Sequence, residues 1–144
     1  MATFVLVHGA WHGGWCWGPL ERSLRDCGHD VTSPTLTGLG ERSHLASPDI
    51  VPDTHVLDIV NHIKWEDLED VSLVGHSYSG VIITGAAGRL PERIRALVYF
   101  DAIVPEKSGV CHCQTQPRAH CCLSPTACKR RLHGRAGPVR RLER

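Results

Sequence analysis

The chain has 144 residues, which is enough for one domain or for part of a domain with a tail. Hydrophobic residues make up 42% and charged residues 22%, which excludes a wholly disordered protein. The apolar runs are short, and none approaches the roughly 20 residues of a membrane-spanning helix. No basic residue precedes the first apolar run, which ends at His8, so we expect no secretory leader and a cytoplasmic location.

The formal net charge of +1 hides two unlike segments. Residues 1–107 carry 8 Lys/Arg and 14 Asp/Glu, whereas residues 108–144 carry 8 Lys/Arg and one acid. All the aromatic residues lie in the first segment, and five of the 7 cysteines lie in the second. The second segment has little apolar surface to offset the entropy lost on ordering. We therefore predict a domain over 1–107 and a basic, cysteine-rich, irregular tail over 108–144.

The first part of the predicted domain has the order strand, helix, strand. The β-branched and apolar run Thr3–Val7 predicts a strand buried on both faces. A loop rich in glycine and tryptophan follows, and Pro19 opens a helix that Gly28 ends. Asp30–Ser33 predicts a short second strand.

The second part alternates in the same way after a long loop, Thr35–Pro52. Asp53 or Thr54 is the expected cap of the next helix, whose apolar residues recur at helical spacing. The remaining predicted elements are strand Val71–Val74, helix Val81–Leu90 and strand Ile94–Phe100. Strands that alternate with helices in this way predict a three-layer α/β fold, a parallel sheet covered on both faces.

A buried strand turns within a few residues into a helix at Gly75–Gly80. A serine at such a turn has its Oγ exposed, and the residues two before and two after it must be small. Gly75 meets that need fully and Ser79 approximately. Ser77 is therefore the candidate nucleophile, and the N–H of Tyr78, at the start of the helix, is a candidate oxyanion donor. A strand–helix turn without chemistry is the alternative interpretation.

A second oxyanion donor is expected from the loop after an earlier strand. His8-Gly9-Ala10 follows Thr3–Val7, so the N–H of Ala10 is the candidate. The glycine would let the backbone approach a substrate closely.

Three separated segments agree in order with one known family: Val5–Trp17, Gly75–Gly80 and Tyr99–Pro105. Over about residues 3–107 the chain resembles the α/β-hydrolase superfamily, in particular its branch of small lidless esterases and plant hydroxynitrile lyases. The resemblance implies a serine hydrolase that acts on a small carboxyl ester by nucleophilic acyl transfer. It implies no cofactor and no metal.

The resemblance also assigns roles to single residues. It implies Ser77 as nucleophile and the N–H groups of Ala10 and Tyr78 as oxyanion hole. In the lyases of this branch a threonine follows the loop histidine, whereas Gly9 stands here, which favours an esterase.

We expect Gly9, Trp11 and His76 to contact substrate. Trp11, Trp15 and the Gly38–Leu45 loop can shape an apolar pocket, although core packing is the favoured interpretation of both tryptophans. For His8, His12 and His76 the favoured interpretation is loop packing or an orienting hydrogen bond, with a catalytic role as the alternative.

The family's acid and histidine lie downstream of the nucleophile, where this chain changes character. Asp101 is the candidate acid, because some members of the superfamily place theirs after this strand. The only downstream histidines follow no recognisable strand: His112, His120 and His133. Without a base, Ser77 stays a weak nucleophile, so we expect weak or absent activity.

The resemblance implies the strand order Asp30–Ser33, Thr3–Val7, Val71–Val74, Ile94–Phe100, and a sheet truncated after the last of these. Ile94–Phe100 would then be an exposed edge, which invites self-association.

The tail admits other interpretations. Its cysteines and histidines do not follow a zinc-binding spacing, although a non-catalytic fragment whose tail binds a metal or a partner remains the alternative function. Its arginines are not interleaved with aromatic residues, so no nucleic-acid partner is expected. We interpret 108–144 as an out-of-frame or alternatively spliced end.

Overall fold

Four parallel strands form one sheet in the computed structural model, which describes residues 1–105. The strands are β1 (Thr3–Val7), β2 (Asp30–Thr32), β3 (Val71–Ser77) and β4 (Ile94–Ala102). Their order in the sheet is β2-β1-β3-β4, and each neighbouring pair is parallel. The predicted α/β class and strand order are confirmed.

Three α-helices connect the strands. They are α1 (Gly18–Asp26), α2 (Pro52–Trp65) and α3 (Ser79–Arg89), and two short 3₁₀ helices span Gly14–Trp17 and Gly40–Leu45.

The start of α2 differs from the prediction. The expected caps Asp53 and Thr54 are wrong, because α2 already begins at Pro52, whose fixed φ suits the first helical position. The Thr54 hydroxyl instead accepts a hydrogen bond from the N–H of Val51, at 3.3 Å.

Apolar residues fill both faces of the sheet and make three layers. One cluster packs α2 and α3 against β1 and β3, with Val5, Leu73, Ile59 and Ile82 among its buried members. The other lies on the α1 face. Burial of each such side chain stabilises the fold by roughly 1.5–3 kcal/mol. The two central strands are therefore fixed from both sides, and their carboxyl ends carry the candidate site.

Two strands run further than the sequence predicts. β3 continues past Val74 to Ser77, and β4 continues past Phe100 to Ala102. The last of the extra residues pair with each other, since Ser77 lies opposite Ala102 in the register. The strands extend to the turn because they form hydrogen bonds with each other, and the local sequence of either strand does not indicate this pairing.

β4 is an edge strand in the part of the chain that the structure describes. Its side chains Val98 and Phe100 are 43% and 59% exposed. Within residues 1–105 no helix is long and apolar enough to cross a membrane. The predicted boundary near Lys107 and the predicted tail 108–144 lie outside the described residues.

Candidate active site

Ser77 occupies a strained turn between β3 and α3. Its φ is +55°, in the left-handed region that costs a non-glycine residue about 1–2 kcal/mol. Tyr78 follows directly, has helical backbone angles and is the N-cap residue of α3. The carbonyl of Ser77 accepts a hydrogen bond from the N–H of Ile103, at 2.9 Å. The chain beyond β4 thereby holds the turn in place.

Small residues surround this turn because backbones pass close to it. A Cβ added to Gly75 would lie 3.0 Å from the carbonyl oxygen of Ser79. One added to Gly80 would lie 2.1 Å from the carbonyl oxygen of Ile103, so only glycine fits there.

Ser79 is small enough for the position two residues after Ser77, and its side chain also forms hydrogen bonds that a glycine could not. It is fully buried, and its hydroxyl donates to the carbonyl oxygens of Val7 at 2.7 Å and His76 at 2.9 Å. Ser79 thus ties the end of β1 to the turn that holds Ser77. The residue spacing around Ser77 gave no sign of this bond.

The loop after β1 reaches Ser77 through Gly9. A Cβ added to Gly9 would lie 3.0 Å from Nδ1 of His76 and 3.2 Å from Cβ of Ser77. The fold therefore brings Gly9, His76 and Ser77 together, with Ala10 and Tyr78 next to them in the chain.

His8 is buried and uses both ring nitrogens. Nδ1 lies 2.8 Å from the carbonyl oxygen of Gly9, which can only accept, so Nδ1 carries the proton. Nε2 accepts from the N–H of Leu36, at 3.0 Å. Burial lowers the pKa of His8. His8 is therefore a neutral group that orients the loop through hydrogen bonds, which is the interpretation favoured from the sequence.

His76 belongs to an aromatic cluster on the α1 face of the sheet. Its ring centroid lies 5.9 Å from that of Phe100, 6.3 Å from that of Trp17 and 6.3 Å from that of His12. Nδ1 of His12 lies 2.9 Å from the carbonyl oxygen of Ala10.

The tryptophans of the loop differ in exposure. Trp11 and Trp15 are 68% and 65% exposed, so core packing is wrong for both, whereas Trp17 is buried. Trp11 also has a φ of +63° and directly follows Ala10.

The Gly38–Leu45 segment packs on the tryptophan loop. The Glu41 carboxylate accepts the hydroxyl proton of Thr35, a bond that lowers the pKa of Glu41. The same hydroxyl accepts from the N–H of Gly14, at 2.7 Å. This segment therefore braces the loop that carries Trp11.

Asp101 is exposed and has a φ of +44°. In the pairing of β3 with β4, Phe100 lies opposite His76 and Ala102 lies opposite Ser77, so the register skips Asp101. Within residues 1–105, no hydrogen bond or ion pair joins Asp101 to a histidine. Nor does any join the Ser77 hydroxyl to one. His112, His120 and His133 lie outside the described residues.

Sequence reasoning missed a buried histidine next to the turn. His55, in the first turn of α2, has Nδ1 3.1 Å from the Tyr78 hydroxyl and Nε2 2.9 Å from the carbonyl oxygen of Thr37. The two ring centroids of His55 and Tyr78 are 5.8 Å apart, edge to face. The contact joins residues 23 positions apart, so no local pattern signals it.

The described residues include no group of three or more metal-ligating side chains. The zinc alternative concerns the tail alone, which lies beyond residue 105.

A family model described as the alpha/beta hydrolase family matches residues 4–141. The chain belongs to the α/β-hydrolase family. Its resemblance to the branch of esterases and hydroxynitrile lyases is also confirmed by the relatives it matches.

Among these relatives, a carbendazim hydrolyzing esterase from Nocardioides sp. (strain SG-4G) is 55% identical over 106 residues, which cover 74% of this chain and 44% of that protein. An alpha-hydroxynitrile lyase from Arabidopsis thaliana is 34% identical and is covered over 42% of its length, against 74% of this chain. The solved structure of an extracellular α/β-hydrolase from a Paenibacillus species matches 73% of this chain and 42% of its own, with a TM-score of 0.68 and 34% identity. This α/β-hydrolase chain thus spans less than half the length of the relatives it matches.

Proposed function

We propose that this chain carries the nucleophile half of a serine hydrolase for small carboxyl esters. The observation that supports this most is the left-handed turn at Ser77, which lies between β3 and α3 and against the backbone of Gly9. A hydroxyl at such a turn stands out from the sheet, near the N-terminus of a helix.

The proposed step is an acyl transfer. Oγ of Ser77 bonds to the ester carbonyl carbon, and the carbonyl π electrons move onto oxygen. The N–H groups of Ala10 and Tyr78 donate to that oxyanion. Collapse of the intermediate breaks the bond to the alcohol oxygen, which leaves with the proton of the serine hydroxyl. Water then releases the acid and restores Ser77.

Proton transfer limits the proposed activity. Asp101 is the proposed acid, but within residues 1–105 no histidine is hydrogen-bonded to Ser77. Loss of triad members lowers kcat by several orders of magnitude, although the oxyanion hole and binding keep a residual rate. We therefore expect single-turnover acylation and weak or absent turnover.

The substrate class rests on the relatives. Relatives named for ester hydrolysis include a carbendazim hydrolyzing esterase, a methyl jasmonate esterase and a methylesterase. We propose that Trp11, exposed beside Ala10, together with Gly9 and His76, contacts a small ester. This chemistry calls for no cofactor, and a cytoplasmic location is proposed with it.

The test is labelling of the full 144-residue chain with a fluorophosphonate, in which Oγ displaces fluoride from phosphorus. We expect labelling of the natural chain and none of Ser77→Ala. Ser23→Ala, which removes an exposed hydroxyl on α1, is the matched control and should label like the natural chain. A folded chain that takes no label at Ser77 would contradict the proposal. Stoichiometric zinc binding by that chain would then favour a binding role for its tail.

A further inference from the structure

The hydrogen bonds of His55 determine which of its ring nitrogens carries the proton. Nε2 faces the carbonyl oxygen of Thr37, which can only accept, so the proton sits on Nε2. Nδ1 is then an acceptor, and the Tyr78 hydroxyl donates to it at 3.1 Å. His55 is buried, and Tyr78 is buried with it.

Asp58, three residues further along α2, fixes the partner of His55. Its Oδ2 accepts from the N–H of Thr37 at 2.7 Å, and its Oδ1 accepts from the Thr37 hydroxyl at 2.8 Å. Residues three apart lie on one face of a helix, so His55 and Asp58 both form hydrogen bonds with Thr37. The two bonds to Asp58 fix the position of the Thr37 carbonyl, and that carbonyl fixes the orientation of the His55 imidazole.

We infer that His55 is a positioning residue that holds Tyr78, and with it the backbone N–H proposed as an oxyanion donor, in register with Ser77. The inference rests on the proposed function. The side chain and the N–H of Tyr78 share one Cα, and Tyr78 directly follows the strained residue. A fixed ring therefore fixes the direction of the N–H. Oxyanion donors are effective only when held in place before the reaction, so a loosened ring slows acylation.

Two substitutions break the same bond from opposite sides. Tyr78→Phe removes the hydroxyl and keeps the backbone N–H. In His55→Gln the amide can still donate to Thr37 but has no acceptor where Nδ1 was. His62→Gln is the matched control, because His62 also lies on α2 and its Nε2 is 2.9 Å from a threonine hydroxyl, that of Thr32.

The experiment measures two quantities in the full chain at a temperature where every variant is folded: the rate of fluorophosphonate labelling, and the hydrogen-exchange rate of the Tyr78 amide. We expect Tyr78→Phe and His55→Gln each to slow labelling about 3- to 10-fold, and the double variant to be no slower than either. Both should speed exchange of the Tyr78 amide, whereas His62→Gln should change neither quantity.

The outcomes separate the two proposals. A chain that labels normally, with His55→Gln equal to His62→Gln in both quantities, overturns the positioning role and leaves the proposed function intact. A folded chain that takes no label at Ser77 overturns the proposed function. Amide exchange then decides the positioning role alone, which stands if His55→Gln speeds it and falls if it does not.

Discussion

Ser77 and Asp101 both have left-handed backbone angles, with φ of +55° and +44°, and they flank one irregularity between β3 and β4. The register moves from the pair His76–Phe100 to the pair Ser77–Ala102, so Asp101 is left without a partner opposite. The N–H of Ile103 then donates to the carbonyl of Ser77. Two strained residues are therefore held by one stretch of strand pairing, at the end of the sheet where the candidate site lies.

The strain at Ser77 predicts an unusual preference for glycine. We expect Ser77→Gly to have a free energy of unfolding about 0.5–1 kcal/mol above that of Ser77→Ala, because glycine adopts a positive φ without steric cost. Asp101→Gly should exceed Asp101→Ala in the same way. Urea denaturation measures all four.

The control for this comparison is Ser23, exposed within α1. There the order should reverse, with Ser23→Gly less stable than Ser23→Ala by roughly 1 kcal/mol. Equal stabilities of the two Ser77 variants would contradict the strain argument.

Two glycines of α3 should respond oppositely to alanine. A Cβ at Gly80 meets the carbonyl oxygen of Ile103 at 2.1 Å, whereas a Cβ at Gly88 meets nothing within 4 Å. We expect Gly80→Ala to lower the free energy of unfolding by about 1–3 kcal/mol, since the chain after β4 must move. Gly88→Ala should raise it by about 0.5–1 kcal/mol through helix propensity. Thermal unfolding checks both, and a neutral Gly80→Ala would disprove the close packing of Ile103 on α3.

Burial of His8 predicts a loss of stability in mild acid. Burial lowers the pKa of His8 below the 6.5 of an unfolded chain, so the unfolded state binds the extra proton. The stabilising contribution is complete above pH 6.5 and is lost as the pH falls through the lowered pKa of the folded state. The slope from one such group reaches at most about 1.4 kcal/mol per pH unit.

The variant that tests this is His8→Gln, measured by urea denaturation from pH 7.5 to 5. It should be less stable than the natural chain at pH 7.5 and should lose less stability towards pH 5. His62→Gln should act in the same direction, because burial also lowers the pKa of His62. Unchanged pH dependence in His8→Gln would rule out the buried neutral imidazole.

Much of the fold could be predicted because its signals are local. The bounds of β1 were predicted as Thr3–Val7 from a run of apolar and β-branched residues, and burial on both faces makes such a run. The turn at Ser77 was predicted because the close passage of a strand and a helix demands small neighbours such as Gly75.

What the sequence could not predict depends on contacts between distant residues. The last residues of β3 and β4 are strand only because they pair with each other. The bond of Ser79 to Val7 spans 72 positions, and that of His55 to Tyr78 spans 23. Only one of three neighbouring tryptophans, Trp17, is buried, and composition treats all three alike.

The exposed apolar side chains of β4 predict that a second copy of the chain associates with this strand. Within residues 1–105, β4 is an edge strand that exposes Val98 and Phe100 on one face, and an apolar edge is a template for another strand. We expect Val98→Lys to shift the chain towards monomer in sedimentation measurements, because a charge on the edge opposes pairing. Leu57→Lys is the matched control, since Leu57 is also 43% exposed but lies on α2. Equal effects of the two lysines would mean that added charge alone, rather than the β4 edge, governs association, and a natural chain that is monomeric at every concentration would exclude the contact altogether.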